Sequence, residues 1–297
     1  MNFTFTVPCW GDWHIFQYMK HVLASHAAAG LEGNYVVHTT AIGKRMLRGK
    51  IELELPRCKV TYVEVKPEGT YFDFSKYHQE VFDNSEACMF LQADAVISRG
   101  TFQAVRDAVE CGFKHINCAG VNCLDRGDPV PFDASLNPWA VEHMIPTIRG
   151  NIWGTSEDMM SPQTLYFQDG GAFWCHAFHH DPICMVNDRR GVKFADSTLD
   201  WISPSFFKPG ETIVLSGHDA LVVEISPPPK FDRHPRHRIC NATEIAMTVR
   251  GKVLPSHTNL FRTPVPITGT PTKRYAELIS NVVALMTNEQ FLSRKAA

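Results

Sequence analysis

The first 125 residues alternate between short β-rich runs and segments with helical spacing of apolar residues, and this alternation constrains the fold most strongly. It predicts strands at Phe3–Val7, Tyr35–His38, Lys59–Val65, Cys88–Leu91 and His115–Ala119. It predicts helices between them at Ile15–Ala29, Lys44–Ile51, Phe74–Ala87 and Phe102–Glu110. Because strands separated by such helices need crossover connections, we expect an α/β fold with a mostly parallel sheet covered on both faces.

The pattern changes after residue 121. Asn122–Pro138 is rich in Asp, Pro and Gly, which predicts a long loop of the kind that often serves as a lid or binding segment. A helix follows at Pro138–Ile148, and strand-like pieces dominate Gly170–Ser226. The C-terminal part ends in an amphipathic segment around Tyr275–Leu285. We therefore predict one domain over residues 1–230 and an extension over residues 231–297 whose last helix packs on the core.

Composition excludes several classes of protein. The chain has 29 basic and 31 acidic residues and a net charge of −2, a total that predicts no surface for nucleic acid or anionic lipid. No apolar run approaches the roughly 18 residues of a membrane span, and no signal peptide is visible, so we expect a cytoplasmic protein. The nine cysteines form no CxxC pair, which argues against a zinc site or a disulfide framework. GxSxG, GxxxxGK[ST] and GxGxxG motifs are also absent from the sequence.

The most informative segment is the apolar run from Met89 that leads into Asp94 and then into a turn containing Gly100. Ligands of open α/β sheets bind at the carboxyl ends of strands, which is where Asp94 is expected. A divalent cation there would bridge the carboxylate to a diphosphate and neutralise charge on a leaving group. The alternative is that Asp94 only caps the turn between a strand and a helix.

These elements resemble the nucleotide-sugar half of the GT-A glycosyltransferases. That family holds its metal and nucleotide diphosphate with an Asp-x-Asp motif at this position, whereas this sequence has Gln92-Ala93-Asp94 and lacks the first acid. The resemblance implies a GT-A-like fold, a Mn²⁺ or Mg²⁺ cofactor, and a metal ligand late in the domain in addition to Asp94. His179 and Asp181 are the candidates for that ligand, and Gln92 is a candidate for substrate binding.

Shorter motifs are similar to those of a set of uncharacterised bacterial glycosyltransferase-like proteins. They are Trp10–His14, Gln92–Val96 with Gly100, Phe178-His179, Thr198–Asp200, and His218-Asp219 with Glu224. Those proteins carry Phe-His-x-His-Pro where this chain has Phe178-His179-His180-Asp181-Pro182. The resemblance covers residues 3–226 and implies transfer of a sugar from a nucleotide-diphosphate donor.

A second cluster of candidate ligands follows Trp174. On a strand, His176 and Phe178 share one face, and His179 lies on the other. His179 or Asp181 together with Asp94 would give the mixed nitrogen and oxygen site that suits manganese or magnesium. We also consider His176 a candidate for substrate binding. The alternatives are a zinc hydrolase, which no HExxH motif supports, and histidines that pack singly or line a polar loop.

The loop after the first strand carries Trp10, Asp12 and His14. An aromatic ring beside a carboxylate suits a nucleotide base, a ribose hydroxyl or a sugar face, so we predict that these three residues bind substrate. The alternative is a turn whose tryptophans pack on the edge of the sheet.

Two later carboxylates, Asp200 and Asp219, are candidates for a general base toward an acceptor hydroxyl, with His218 as a substrate contact. Ordinary turn chemistry is the competing explanation for both. The basic run Arg233–Arg238 suits a diphosphate or an acidic acceptor, and a solvated charged segment is its alternative.

The sequence therefore predicts a metal-assisted glycosyltransferase with a nucleotide-sugar donor, and it leaves the acceptor and the oligomeric state open. Two other functions remain. The first is a non-catalytic nucleotide- or carbohydrate-binding protein of the same fold, whose metal site was lost with the first acid. The second is a metal-dependent hydrolase.

Overall fold

The structure is a computed structural model that describes residues 1–66, 72–144, 164–177, 181–194, 206–226, 241–249 and 258–288. The described strands are β1 (Phe3–Pro8), β2 (Gly33–Thr39), β3 (Cys58–Glu64), β4 (Ala87–Phe90), β5 (Ala95–Ile97), β6 (His115–Leu124), β7 (Thr164–Asp169), β8 (Ala172–Ala177), β9 (Asp181–Val186), β10 (Thr212–Val214), β11 (Leu221–Ser226) and β12 (Val265–Thr268). The described helices are α1 (Asp12–Gln17), α2 (Leu23–Ala28), α3 (Ala41–Leu47), α4 (Lys50–Glu54), α5 (Phe72–Asp83), α6 (Thr101–Glu110), α7 (Leu136–His143), α8 (Ala242–Val249), α9 (Thr258–Arg262) and α10 (Ala276–Met286).

The larger sheet has the strand order β3-β2-β1-β4-β9-β6-β11-β5, and β10 pairs with β6. Strands β1, β2, β3, β4, β6, β10 and β11 run in one direction, and β5 and β9 run in the opposite direction. The sheet is therefore mostly parallel and flanked by helices, which confirms the predicted fold class.

Both faces of this sheet are covered. On β4, Cys88 and Phe90 pack in one cluster with Phe82 of α5. Ala87 and Met89 belong to the main core on the other face, because successive side chains of a strand alternate. Helices α1 to α4 connect the adjacent parallel strands β1, β2 and β3, and right-handed crossovers place them in one layer. The packing of α2 against α4 agrees with that placement.

The first helix differs from the prediction. It begins at Asp12, three residues before the predicted start, because Gly11 adopts φ 78° and turns the chain directly out of β1. A π-helical turn, Tyr18–Val22, joins α1 to α2. The layer is buried through Ile15, Tyr18 and Val22.

Other predicted boundaries were wrong. The single helix predicted at Lys44–Ile51 is two helices, because Gly49 adopts φ 84° between α3 and α4. The loop predicted at Asn122–Pro138 is shorter, since β6 extends to Leu124 and α7 begins at Leu136. Strands β5, β7 and β12 were not predicted.

A second, three-stranded sheet has the order β12-β8-β7. Its core joins Phe167 and Trp174 to Phe261 and to the buried face of α10. That helix fulfils the predicted amphipathic pattern, with Ile279 and Val282 buried. Across the described ranges, no helix is long and apolar enough to cross a membrane.

A buried polar group ties the π-helical turn and α2 to the sheet. The hydroxyls of Tyr18 and Tyr35 are 2.8 Å apart, and Nδ1 of His26 lies 2.7 Å from the Tyr35 hydroxyl. All three side chains are fully buried. Burial raises the pKa of both tyrosines and lowers the pKa of His26 to about 3.

We expect Tyr35→Phe to lower the free energy of unfolding by about 1–3 kcal/mol, because it removes the hydroxyl that both neighbours contact inside the core. Urea unfolding measures the change. Tyr62→Phe is the matched control: its hydroxyl donates to Glu52 at the surface, and its loss should change stability by no more than about 0.5 kcal/mol. Equal losses in the two variants would contradict a structural role for the buried group.

Candidate functional site

The parallel strands bring several polar loops to one edge of the larger sheet. Strand β1 leads into Trp10, β4 into Gln92 and Asp94, and β6 into Asp125. Since these strands run in the same direction, their carboxyl ends meet at the same edge. Ligands of open α/β sheets bind in this position.

Asp94 lies at this edge, as the sequence predicts. Its backbone oxygen accepts a 2.8 Å hydrogen bond from the N–H of Ile225, near the end of β11. Its side chain is 18% exposed, and Oδ2 lies 3.6 Å from Nε2 of His14 on α1. The same carboxylate lies near the Cys9 thiol. Burial raises the pKa of this thiol, and the negative charge of Asp94 raises it further. Asp94 and His14 thus meet across 80 residues of sequence.

The loop after β1 lies beside an aromatic group. The ring of Trp10 is partly buried and meets the ring of Tyr77 edge-on, with centroids 5.7 Å apart. Tyr77 in turn stacks on His38, with centroids 4.9 Å apart. Asp12 is exposed in the first turn of α1, where a carboxylate is favoured by the helix dipole. The loop therefore presents an aromatic edge and a solvent-exposed carboxylate next to Asp94.

A second carboxylate, Asp125, lies at the same edge of the sheet and was missed from the sequence. Its N–H donates to the backbone oxygen of Ser226, the residue after Ile225 on β11. Its Oδ2 accepts a 2.8 Å hydrogen bond from Gln17, and its Oδ1 lies 3.8 Å from Nζ of Lys20. Burial acts to raise the pKa of Asp125, but hydrogen bonds from Gly127 and Gln17 and the charge of Lys20 outweigh it and hold the pKa below its ordinary value.

Helix α1 contacts both carboxylates. His14 faces Asp94, and Gln17, one helical turn later, holds Asp125. Residues three apart lie on one face of a helix, so a single face of α1 closes over the end of β11. The sequence does contain a signal for Asp125, because this carboxylate follows β6 as Asp94 follows β4. The segment around Asp125 was predicted to be a loop, so this signal was not used.

The remaining predicted residues of this edge are only partly described. Gln92 is exposed in the same loop as Asp94. Asp181 is the first residue of β9, which pairs antiparallel with β4 through Met89 and Cys184. On its other side β9 pairs with β6, where Asp181 lies opposite Cys118 after a register shift. His179 and Asp200 lie outside the described residues.

Three other predicted residues lie elsewhere. His176 is buried on β8 of the second sheet, with Nδ1 2.7 Å from the backbone oxygen of Phe261, and burial lowers its pKa to about 4. His218 and Asp219 precede β11, so they lie at the end of that strand opposite Asp94. We leave these three out of the proposed site. His176 lies on β8 of the second sheet and Asp181 begins β9 of the larger sheet, and residues 178–180 between these strands lie outside the described residues.

The described residues offer few metal donors. They contain no group of three or more His, Cys, Asp and Glu side chains that could hold a metal ion. Asp94 and His14 supply one carboxylate oxygen and one imidazole nitrogen, which are both donors that divalent cations such as Mn²⁺ accept. A cation held by one or two protein groups and completed by phosphates and water is a common arrangement for Mg²⁺. The pair therefore fits a cation that is shared with a diphosphate.

No family model matches the chain, and no curated protein matches it. Two solved structures align with 98% of this chain and 72% of their own. They are S. aureus TarS 1–349 in complex with UDP, at 11% identity and a TM-score of 0.41, and the mannosyltransferase PcManGT from Pyrobaculum calidifontis in complex with GDP-Man and Mn²⁺, at 14% identity and a TM-score of 0.42. Mouse xyloside xylosyltransferase 1 in its apo form aligns with 40% of this chain and 53% of its own, at 11% identity and a TM-score of 0.32. Such scores do not decide function.

Proposed function

We propose that this chain is a glycosyltransferase that moves a sugar from a nucleotide-diphosphate donor to an acceptor, assisted by Mn²⁺ or Mg²⁺. The observation that carries the proposal is the position of Asp94. Its carboxylate lies at the carboxyl edge of the sheet, 3.6 Å from His14 and beside the loop of Trp10 and Asp12. The motif resemblance around Gln92-Ala93-Asp94 points to the same chemistry.

Each part of the edge has a role in this proposal. Asp94 holds the cation with His14 beside it, and His179 or Asp181 completes the set. The cation, when bound, neutralises charge on the leaving diphosphate. Trp10 and Asp12 contact the nucleotide, and Gln92 contacts the donor next to the carboxylate. Catalysis comes mainly from positioning and from stabilisation of the leaving group.

Asp125 has a positioning role. The hydrogen bond from Gln17 and the nearby charge of Lys20 fix the end of α1 and the π-helical turn that follows it against the end of β11. His14 lies one turn earlier on that helix, so the same contact sets its distance from Asp94. Asp200 remains our proposal for the general base toward the acceptor hydroxyl.

Calorimetric titration with UDP- and GDP-sugars, with and without Mn²⁺, tests the proposal. We expect one nucleotide class to bind and its affinity to depend on Mn²⁺. Binding that is independent of metal and is followed by no turnover would favour the non-catalytic binding protein, in agreement with Gln92 in place of the first acid. If no nucleotide diphosphate binds under any of these conditions, the proposed function is wrong.

A further inference from the structure

Exposed apolar side chains concentrate on the outer side of the layer formed by α1 to α4. In the described part of the chain six large hydrophobic residues are exposed, and four of them belong to this layer. They are Phe16 at 51%, Ile42 at 62%, Met46 at 43% and Leu53 at 77% exposed. Exposed apolar side chains mark an interaction site when they lie together as a contiguous surface.

One segment of this layer, residues 41–50, is basic, whereas Asp12, Glu52 and Glu54 are exposed acids elsewhere in the layer. Residues 41–50 contain four basic side chains, Lys44, Arg45, Arg48 and Lys50, and no acidic one. Within the described ranges, Lys44, Arg45 and Arg48 take part in no ion pair. The nearest acid along the chain, Glu52, accepts hydrogen bonds from the Gly49 N–H and the Tyr62 hydroxyl. The near-neutral total charge therefore conceals a local positive surface.

Three of these exposed side chains share one face of α3. On α3, Ile42, Arg45 and Met46 have the spacing of one helix face, while Gly43 and Leu47 are buried toward the core. A Cβ at Gly43 would lie 3.1 Å from Cδ1 of Ile15, so α3 packs directly against α1.

Contacts with the first helix extend the surface. Nζ of Lys20 lies 5.6 Å above the ring of Phe16, and Nζ of Lys50 lies 3.4 Å from Sδ of Met19. Side chains of α1 and α4 therefore extend the surface that α3 forms. We call this surface the basic–apolar patch and define it by six residues: Phe16, Ile42, Lys44, Arg45, Met46 and Arg48.

We propose that the basic–apolar patch docks the protein on an anionic phospholipid bilayer. Aliphatic and aromatic side chains that enter the boundary between headgroups and acyl chains, surrounded by Lys and Arg, are the composition of interfacial membrane anchors. Two other occupants fit less well. A second copy would bring like charges together, and nucleic acid offers no partner for the exposed apolar side chains of Ile42 and Met46.

The position of the patch connects it to the candidate site. Helices α1 and α3 begin where β1 and β2 end, which is the edge that carries Asp94. Phe16 follows His14 by two residues on the same helix. A chain docked through the patch therefore holds its candidate site next to the membrane surface, within reach of an acceptor at that surface.

Co-sedimentation with vesicles tests the docking. We expect the protein to bind vesicles of phosphatidylcholine containing phosphatidylglycerol, to bind pure phosphatidylcholine weakly, and to dissociate as salt is added. The double variant Lys44→Glu/Arg45→Glu should lower the partition coefficient about tenfold or more, since each basic residue near the surface contributes separately. Ile42→Ser/Met46→Ser should lower it as well, and this loss should persist at low salt.

Matched controls lie away from the patch. Lys193→Glu and Met247→Ser change an exposed cation and an exposed methionine elsewhere, and we expect both to bind as the unmodified protein does. The proposal is overturned if the unmodified protein ignores phosphatidylglycerol vesicles, or if the patch variants bind them as well as the controls. It is also overturned if the patch variants alter only dimerisation or binding of a DNA duplex. The nucleotide titration uses no vesicles, so the two proposals fail separately.

Discussion

Asp94→Asn is expected to lower kcat/KM for sugar transfer about 100-fold or more and to abolish the Mn²⁺ dependence of donor binding, because the carboxylate is the central charged group of the proposed site. Asparagine keeps the size of the side chain and loses its charge. The backbone oxygen of residue 94 still accepts from Ile225, so the fold should persist. Calorimetric titration measures the binding, and a transfer assay with the donor found there measures the rate.

Asp107→Asn provides the matched control for this substitution. Asp107 is exposed on α6, accepts a hydrogen bond from Gln103 one turn earlier, and belongs to none of the loops that form the candidate site. Its variant should bind and turn over the donor as the unmodified protein does. If Asp94→Asn remains folded and retains both the affinity and the Mn²⁺ dependence, then Asp94 is not a ligand and the charge at this edge has another purpose.

Local patterns predicted most of the elements of the larger sheet, because each strand and helix leaves its own period in the sequence. The misses have a common cause. Strand β5 is three residues long and is defined only by its pairing with β11, more than 120 residues later. Strand β12 likewise exists through its pairing with β8. Alternation over three or four residues cannot be distinguished from a loop, so only the tertiary partner identifies such strands.

The residues of the candidate site likewise divide into those that a local sequence pattern predicts and those that only the folded structure reveals. The position of Asp94 follows from a local rule, that a carboxylate after a buried strand lies at the edge where ligands bind. The contact between Gln17 and Asp125 has no local signal, because Gln17 has the sequence appearance of any polar residue on a helix. His176 is an example of a residue whose strand is predictable from the sequence but whose place in the fold is not. Its alternation was correctly that of a strand, but the strand belongs to the second sheet, and no local period states which sheet a strand joins.

The free energy of unfolding of this protein is expected to fall as the pH is lowered from about 7.5 to about 5.5, a range in which carboxylates do not yet titrate. Burial lowers the pKa of five buried histidines. The pKa falls to about 3 for His26 and His78 and to about 4 for His38 and His176, and that of His21 is lowered as well. The folded chain keeps the four with large shifts neutral, whereas the unfolded chain protonates them near pH 6.5. Below that pH the unfolded state therefore binds more protons, so the stability falls as the pH falls and stops falling near the folded pKa values.

The expected size of this effect makes it measurable by urea unfolding at a series of pH values. Between about pH 7.5 and about pH 5.5 each buried histidine costs the folded state about 1.4 kcal/mol, and the four together about 5 kcal/mol. That is comparable with the whole stability of many domains, about 5–15 kcal/mol. Carboxylates with lowered pKa, such as Asp125 and Asp188, lose their contribution only below their unfolded pKa of 3.8, so this window isolates the histidines.

A variant separates this explanation from a general effect of charge. His26→Gln should reduce the slope of stability against pH by about one quarter, since one of the four neutral imidazoles is gone. Met247→Gln, at an exposed position that carries no titratable group, should leave the slope unchanged. A flat profile between about pH 7.5 and about pH 5.5, or equal slopes in His26→Gln and the unmodified protein, would show that His26 is not held neutral. The interior under β1 and β2 would then admit water or a compensating anion, contrary to the complete burial of His26.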